Sequence, residues 1–334
     1  MWYNQLRRLI INQRVASALR EIPTLGNIYY VFSSSDAYYT YFEGMVEQTY
    51  ADGTEAFHTT PASAIAACTD GRNDVILLDA KSEHLLTAGI ALTKNRVNFV
   101  GMDGGDRLVQ QGTKIKLATA ATTAYVMKDT GTRNSFRNIK FIQAATAWTG
   151  LTVFQAGGEG TLFKNCSFVF EVANNLGGTT AHEFLAGTDS ATFIDCEFGN
   201  DTLLTSAARS VFHIDQVTAG QEFKSNRLRG CTFRISSSSA TATFVRLDAV
   251  GDILYTNIFE DCNFVASVDA AGGIALAEAS QTGTGTSKGS LLYVRPAALN
   301  VTDFATATGG RNAATQVVAA VSVAAAIEGI TPTA

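Results

Sequence analysis

Short clusters of apolar residues recur along the middle of the chain and share one six-residue pattern. The first position is Phe or Leu, the fourth is Ile or Cys, and the last is always Phe. The five segments begin at Phe136, Phe163, Phe193, Leu228 and Phe259, with successive spacings of 27, 30, 35 and 31 residues. Self-similarity at this period predicts a solenoid in which each repeat is one coil of the chain.

The third position of each segment predicts a sharp bend between two strands. It is occupied by residues that tolerate a left-handed backbone. These residues are Asn138, Asn165, Asp195, Gly230 and Asp261. The fourth and sixth positions lie two apart and therefore share one face of a strand. We expect the motif to be strand, bend, strand, with like side chains stacked in ladders inside the solenoid.

A second apolar position occurs once per repeat, upstream of the bend. Its members are Met127, Phe154, Phe184, Phe212 and Phe244. In three repeats the preceding residue is a valine: Val126, Val153 and Val211. Strict alternation would point these valines outward. They predict an apolar outer stripe that a homotrimer could bury.

The two ends of the chain differ from the repeats. Residues 1–22 place four arginines (Arg7, Arg8, Arg14 and Arg20) among apolar residues, which predicts an amphipathic helix. An aromatic segment follows up to residue 60. Thr60 and Pro61 are typical of a helix start, so we expect a helical cap over 61–68. The predicted domains are an arm over 1–60, a β-helix over 61–295 and an Ala/Val/Thr-rich extension over 296–334.

Composition supports a β-rich protein with many turns, since only 16% of residues are charged and 29 are Gly. The net charge of -5 argues against binding nucleic acid. The five cysteines are scattered and suit a reducing compartment. We expect no signal peptide and no membrane span, and hence a soluble protein made in the cytoplasm.

The run from Ala62 through Asp74–Leu78 to Val97–Gly101, followed by the Asn-Cys-Ser-Phe-like coils, resembles the pectate-lyase-like right-handed parallel β-helix superfamily. The resemblance covers roughly residues 60–295. It implies an all-β, single-stranded, right-handed parallel β-helix of about 7 coils. The superfamily includes lyases, hydrolases, bacteriophage tailspikes and virion proteins without enzymatic activity.

Carboxylates are the natural candidates for polysaccharide cleavage, because glycoside hydrolysis commonly uses two of them. Asp195 with Glu197, and Glu260 with Asp261, lie at equivalent bends. However, Asp195 and Asp261 are accounted for by the bends themselves. Glu197 belongs to a column that we expect to be solvated. Its other members are Lys140, Ser167, Thr232 and Asn263. We therefore predict no catalytic residue.

Other polar and thiol groups receive structural interpretations. Cys166, Cys196, Cys231 and Cys262 form a column that we interpret as core packing. His182 and His213 are interpreted as lone hydrogen-bonded histidines. The loop Gly101–Asp106 lacks the residues of a phosphate or calcium site, so we interpret it as a turn. No cofactor or metal is expected.

By resemblance, the leading hypothesis is a non-enzymatic structural protein of a tailed bacteriophage virion, a capsid decoration or short fibre or spike component. It would be a homotrimer made in the host cytoplasm, without a signal peptide. Residues 1–60 and 296–334 would attach it to other virion proteins. The alternatives are a tailspike-type polysaccharide depolymerase and a glycan-binding adhesin, for which a host surface glycan is the partner. An enzyme would draw on the acids Asp189, Asp195, Glu197, Asp215, Asp248, Glu260 and Asp261.

Overall fold

The computed structural model describes residues 26–34, 39–43, 49–80, 83–102, 112–145, 151–171, 180–200, 202, 208–237, 242–247, 253–268, 275–280, 288–299, 306–308 and 315–318. Parallel strands in these ranges form three sheets, and the chain visits the sheets in turn. Away from the two ends of the stack, most strands pair with one strand a coil earlier and one strand a coil later. This is the single-stranded right-handed parallel β-helix predicted from the repeat.

The first sheet, here called the long sheet, runs the whole length of the solenoid. Its strands are Ile28–Val31, Phe57–His58, Val75–Leu78, Asn98–Gly101, Ser135–Arg137, Leu162–Lys164, Thr192–Ile194, Phe223–Lys224, Arg227–Arg229, Ile253–Glu260, Lys288–Val294 and Thr315–Val318.

The second sheet follows the bend after each strand of the long sheet, and the third sheet follows the second. The second contains Glu83–Leu86, Lys114–Leu117, Lys140–Gln143, Ser167–Phe170, Glu197–Phe198, Thr232–Ser237, Asn263–Val268 and Ala297–Leu299. The third contains Ile90–Leu92, Tyr125–Asp129, Leu151–Ala156, Thr180–Ala186, Ala208–Ile214, Thr243–Leu247, Ala275–Ser280 and Thr306–Thr308.

Among the described residues, the second and third sheets each contain eight strands, against the expectation of about seven coils. Ala297–Leu299 and Thr306–Thr308 continue them beyond residue 295. These strands carry Ala and Thr in place of the Phe markers, so the repeat did not reveal them. At the other end, Ile28–Val31 pairs with Val75–Leu78. The solenoid therefore takes in strands from both predicted terminal regions.

A short helix, Pro61–Ala67, covers the start of the core, as predicted. The Thr60 side chain accepts a hydrogen bond from the Ser63 backbone N–H at 3.2 Å. Lys94 Nζ donates to three carbonyl oxygens at the end of this helix. The other described helix is Tyr39–Glu43, and no helix in the described ranges is long and apolar enough to cross a membrane. The helix predicted in residues 1–22 lies outside these ranges.

The predicted bends are confirmed. The backbone φ is 58° at Asn138, 52° at Asn165, 54° at Asp195, 63° at Gly230 and 53° at Asp261. Each bend N–H donates to a carbonyl oxygen of the next coil, as from Asn165 to Ile194 at 2.9 Å. These hydrogen bonds satisfy the backbone where the chain turns from the long sheet into the second sheet.

The predicted Phe ladders are present and fully buried. In the second sheet, Phe168 and Phe198 stack with ring centroids 5.2 Å apart, and Phe198 and Phe233 at 4.9 Å. Edge-to-face contacts join this ladder to the third sheet, as between Phe198 and Phe184 at 5.4 Å. Offset and edge-to-face rings are favourable arrangements. Burial of like residues over one another therefore makes up the core.

The prediction of an apolar stripe on the outer surface was wrong. Val126, Val153 and Val211 are fully buried and belong to the core, as do Met127 and Phe154, which follow two of them. Two successive side chains point inward here, so strict alternation does not hold in the third sheet.

The register predicted for the last repeat was also wrong by one residue. Val245, and not Phe244, pairs with Phe212 in the third sheet. Phe244 is nevertheless fully buried, and its ring contacts Phe264 at a centroid distance of 5.6 Å.

A second column of left-handed residues was not predicted. It lies five residues before most of the bends and includes residues that give no sequence signal for this conformation. Its members are Arg96, Arg133, Gly160, Ser190, Ser225 and Tyr255, with φ between 55° and 67°. The coils that contain Arg133, Gly160, Ser190 and Ser225 therefore turn sharply both before and after a strand of the long sheet, whereas Tyr255 lies within the strand Ile253–Glu260.

Candidate functional site

The bend edge, where the long sheet meets the second sheet, brings together the acids that an enzyme would use. Asp195 lies at one bend, Gly230 at the next and Asp261 at the one after. Glu260 precedes Asp261, and Glu197 starts the strand after Asp195. Stacking of coils thus groups residues that are far apart in sequence along one edge of the protein.

The Asp195 carboxylate lies across the neighbouring bend. A Cβ atom built on Gly230 would meet Asp195 Oδ1 at 2.6 Å, and Gly230 has φ of 63°. The absence of a side chain at Gly230 therefore makes room for this carboxylate. Asn138 and Asn165 make the corresponding contact between their side chains, with Asn165 Nδ2 donating to Asn138 Oδ1 at 2.9 Å.

Glu260 and Asp261 form an ion-pair network with two arginines. Arg295 donates to both Asp261 oxygens, at 2.7 and 2.8 Å, and to Glu260 Oε1 at 3.3 Å. Arg227 donates to the other Glu260 oxygen at 2.5 Å. The hydrogen bond from Arg227 lowers the pKa of Glu260, and the hydrogen bond from Arg295 lowers that of Asp261. Both carboxylates are therefore ionised at neutral pH.

Glu197 and Ser167 are not solvated, although their column also contains the exposed Asn263 and the half-buried Lys140 and Thr232. The predicted register holds, since Glu197 pairs with Ser167 and Thr232, but Glu197 is only 8% exposed and Ser167 is 3% exposed. Arg234 Nε lies 3.4 Å from Glu197 Oε1, and Ser167 Oγ donates to Oε2 at 3.4 Å. This acid is held between a cation and a hydroxyl group.

The other acids considered are dispersed. Asp189 pairs with Lys224 at 2.8 Å, and Asp215 accepts a hydrogen bond from the Gln216 backbone at 2.7 Å. Asp248 lies outside the described residues. Residues 103–106 of the loop interpreted as a turn also lie outside them. In the described part of the chain, no group of three or more His, Cys, Asp or Glu side chains could hold a metal ion.

Sequence reasoning missed Asp129, which ends a strand of the third sheet and is fully buried. Its Oδ1 accepts hydrogen bonds from Gly131 N at 3.1 Å and Asn134 Nδ2 at 2.8 Å, and Thr161 Oγ1 donates to Oδ2 at 3.3 Å. Burial raises its pKa to about 7. A carboxyl group with this pKa could act as a general acid. However, Asp129 is buried inside the solenoid, so a polysaccharide cannot reach it.

His182 and His213 are not lone histidines. Their ring centroids lie 4.0 Å apart, and His182 Nδ1 is 2.6 Å from Ser210 Oγ. The register pairs His182 with Ser210 and Leu185 with His213, so the repeat spacing alone does not place the two histidines side by side. A serine beside a histidine resembles a nucleophile with its base. However, Ser210 is fully buried, so this pair lies out of reach of a substrate.

The cysteine column is confirmed as core packing. Cys166, Cys196, Cys231 and Cys262 are at most 2% exposed, and Cys68 under the helical cap is 4% exposed. Burial raises the pKa of Cys68 to about 12 and raises that of Cys196 and Cys262. Burial also acts to raise the pKa of Cys231, but hydrogen bonds with Cys196 and Cys262 outweigh it and lower this pKa.

We expect native protein at pH 8 to leave all five thiols unmodified by Ellman's reagent, because thiolate is the reactive form and none is accessible. Protein unfolded in guanidinium is the control and should react at all five. A thiol that reacts as fast in the native protein as in the unfolded chain would contradict the burial of this column.

Substitution of Asp195 tests the bend. Asp195→Gly should preserve stability, because Gly adopts a φ of 54° without strain. Asp195→Val should lower the free energy of unfolding by about 1–3 kcal/mol, because a β-branched residue is strained there. The measurement is urea unfolding followed by circular dichroism. Equal stability of the two variants would show that Asp195 is not a left-handed bend residue.

Gly230→Ala should destabilise for two reasons, the positive φ and the collision with Asp195 Oδ1. In the Asp195→Gly background only the first reason remains, so the same substitution should cost less. A double-mutant cycle measures the difference, which we expect to be about 0.5 kcal/mol because the Asp195 side chain can rotate away from the added methyl group. Additive effects of the two substitutions would mean that the carboxylate does not lie over Gly230.

The chain is similar to several solved structures at low sequence identity. No family model and no curated protein matches the sequence. Similar solved structures include the pectin methylesterase of Aspergillus niger, 11% identical over 89% of this chain and 92% of that one, with a TM-score of 0.45. A pectate lyase is 13% identical over 88% and 81%, with a TM-score of 0.41. The Geobacillus virus E2 protein ORF18 is 11% identical over 77% and 57%, with a TM-score of 0.27.

At these identities and TM-scores, none of these structures carries an argument about activity. The fold rests on the parallel pairing of the three sheets. This pairing confirms the parallel β-helix predicted from the repeat.

Proposed function

We propose that this chain is a non-enzymatic structural protein of a tailed bacteriophage virion, a capsid decoration protein or a short fibre or spike component. The proposal that the protein is not an enzyme rests on one observation: the acids at the bend edge are already engaged in contacts with neighbouring residues of the solenoid. Asp195 lies over Gly230, Asp261 and Glu260 pair with arginines, and Glu197 lies between Arg234 and Ser167. The virion part rests on the resemblance of the repeat to phage β-helix proteins.

The chemistry of glycoside cleavage supports this choice. A hydrolase needs one protonated and one ionised carboxyl group, which requires environments that push the two pKa values apart. Arginines lower the pKa of both Glu260 and Asp261. Two carboxylates held ionised in this way stabilise neighbouring coils and do not supply a proton to a leaving group.

The proposal includes a homotrimer, made in the bacterial cytoplasm, that attaches to the particle through residues 1–60 and 296–334. With Val126, Val153 and Val211 in the core, a different apolar surface must serve the trimer. Leu299 lies in the last described strand of the second sheet, is 55% exposed and belongs to the region expected to contact another subunit, so its burial favours association.

The direct test is purification of particles from a culture that expresses the gene, by density gradient, followed by mass spectrometry. We expect the chain to band with the particles and the purified protein to sediment as a trimer. Leu299→Asp should shift it toward monomer, whereas Tyr255→Asn, at a 66% exposed position in the long sheet, should not. A stable monomer that is absent from particles would refute the proposal.

The competing functions are tested with the same protein. Incubation with host capsular or O-antigen polysaccharide should release no oligosaccharide. Release that is lost in Glu197→Gln or Asp261→Asn would establish a depolymerase. Binding without release would establish an adhesin.

A further inference from the structure

Two histidines lie at the N-terminal end of the solenoid, on the strands that end two of its sheets. Among the described strands, Phe57–His58 ends the long sheet and Glu83–Leu86 ends the second sheet, so each pairs on one side only. Their partners are Ile28–Val31 and Lys114–Leu117. We call Phe57–His58 and Glu83–Leu86 the end strands. Local opening costs less for a strand that is stacked on one side than for one stacked on both.

Both histidine side chains are buried. His84 is 4% exposed and lies in the column that holds Ile115 in the next coil and Phe141 in the one after. His58 is 7% exposed, and its ring centroid lies 5.6 Å from that of Tyr29, a core residue. An ionisable imidazole therefore lies in each end strand, at a buried position next to apolar core residues.

The surroundings of both rings favour the neutral imidazole. Burial lowers the pKa of His58 and of His84. Each ring also lies against a backbone carbonyl, with His58 Nε2 2.9 Å from Glu55 O and His84 Nε2 3.2 Å from Asp79 O. These contacts, and the charge of Glu55 on His58, act to raise the pKa but do not outweigh burial.

The charged groups near His84 pair with one another on the outer face of the second sheet. Glu83 lies 3.6 Å from Lys114 Nζ and 3.5 Å from Lys116 Nζ. The neighbouring strands of the other two sheets contain no charged residue; they are Val75–Leu78 and Ile90–Leu92. Asp79, which follows the first of these strands, is the acid that lies beside the ring through its carbonyl oxygen.

The charged groups near His58 are also engaged elsewhere. Arg72 donates to Asp74 and to the Tyr29 hydroxyl group. Glu43 hydrogen-bonds Tyr39, whose ring contacts Phe57. The two elements that pack directly on Phe57–His58 contain no charged residue; they are Ile28–Val31 and the helix Pro61–Ala67. Of the charged groups at this end, Glu55 acts on His58.

We propose that the N-terminal end of the solenoid is an acid-sensitive element, in which proton uptake by His58 and His84 between pH 7 and pH 5 releases the end strands while the central coils remain folded. An exposed imidazole has a pKa near 6.5, so the open state binds more protons than the closed state. Opening is therefore favoured as the pH falls below about 6.5, and the end stays closed above it. His182 and His213 are also buried, but their strands are stacked on both sides. This inference does not depend on the virion role.

Cys68 reports the opening. It is 4% exposed, belongs to the core and ends the helix Pro61–Ala67, which packs on one of the end strands. The other four cysteines lie in central coils; they are Cys166, Cys196, Cys231 and Cys262. The full chain is labelled at pH 7 and at pH 5 with dithiodipyridine, which reacts with thiols at acid pH, and labelled peptides are quantified by mass spectrometry. Each rate is divided by that of the chain unfolded in guanidinium at the same pH.

We expect the relative labelling rate of Cys68 to rise about tenfold or more from pH 7 to pH 5. Each histidine that stays neutral in the closed state favours opening by up to about 30-fold at pH 5 and hardly at all at pH 7. The four cysteines of the central coils should stay protected at both pH values. Equal relative rates of Cys68 at the two pH values would overturn the proposal. A rise shared by all five cysteines would overturn it as well, because it would indicate global unfolding.

Matched variants assign the effect to the two histidines. His58→Gln with His84→Gln removes both titrations, while glutamine Nε2 can still donate to the carbonyl oxygens that the rings contact. The rise for Cys68 should then disappear. His213→Gln, in a central coil, is the control and should retain it. A rise that persists in the double variant would overturn the proposal. If the double variant does not fold at pH 7, the single variants decide: each should lose part of the rise, and an unchanged rise in both would overturn the proposal.

Discussion

Phe198→Ala is expected to lower the free energy of unfolding by about 3–5 kcal/mol, as large-to-small changes in a packed core do. Phe198 is fully buried. Its ring stacks between Phe168 and Phe233 and contacts Phe184 and Phe212 of the third sheet at 5.4 and 5.3 Å. The ring also lies 5.9 Å from that of Phe193 in the long sheet. Truncation removes contacts to all three sheets and three coils, and the rigid backbone ladders on either side limit collapse into the cavity.

Two controls separate this effect from a general sensitivity of the second sheet. Phe198→Leu keeps most of the volume and should cost about 1.5 kcal/mol or less. Leu85→Ala, at a 59% exposed position in the same sheet, should cost about 0.5 kcal/mol or less. Urea unfolding at unchanged m-value provides the comparison. Similar losses for Phe198→Ala and Leu85→Ala would place Phe198 outside the core.

The Phe ladders and the bends could be predicted because single residues carry their signal. Phe at a fixed spacing marks an inward position. Asn, Asp or Gly between two apolar residues marks a left-handed turn. Asn138, Asn165 and Asp261 therefore locate the edge between two sheets from the sequence alone.

The second left-handed column could not be predicted in the same way. Arg96, Arg133 and Tyr255 have no local preference for positive φ. Their conformation is fixed by hydrogen bonds between coils: Arg96 N donates to Thr132 O at 2.9 Å and Arg133 N to Glu159 O at 2.6 Å. Such bonds exist only once the coils have stacked, so the tertiary structure overrides the residue preference.

Errors at the candidate site have the same origin. The pattern correctly aligned Glu197 with Ser167 and Thr232, yet it could not show that Glu197 is buried beside Arg234, which lies one coil away. Similarly, His182 and His213 become neighbours only through stacking. The repeat pattern predicts which residues of neighbouring coils align with a given residue. The burial of that residue and its side-chain partners depend on the neighbouring coils and loops themselves.

The ionisable groups divide into two kinds, and the division bears on function. The bend-edge acids Glu260 and Asp261 are accessible but are held ionised by arginines. Asp129 has a pKa raised to about 7 but is enclosed in the core. In the described part of the chain, the accessible acids at the bend edge and the protonatable acid are therefore in different places. This separation suits a scaffold better than a hydrolase.

Asp129→Asn is expected to stabilise the protein above pH 7, with little effect at pH 4. In the unfolded chain the carboxyl has a pKa near 3.9, and in the folded protein burial raises its pKa to about 7. Between these values the folded state retains a proton that the unfolded state loses. Stability therefore falls as pH rises from about 4 to about 7. Ionising this buried group costs on the order of 4 kcal/mol.

Asn preserves the local hydrogen bonds of Asp129. Its Oδ1 can still accept from Gly131 and Asn134, and its Nδ2 can donate to the Thr161 hydroxyl group. The measurement is the free energy of unfolding of both proteins at several pH values from 4 to 8, with the difference plotted against pH. Asp261→Asn, which removes a bend-edge carboxylate whose pKa is lowered by its hydrogen bond with Arg295, is the control and should give no such rise. A flat difference for Asp129→Asn would mean that Asp129 is ionised in the fold at little cost, with the hydrogen bonds from Gly131, Asn134 and Thr161 offsetting its burial.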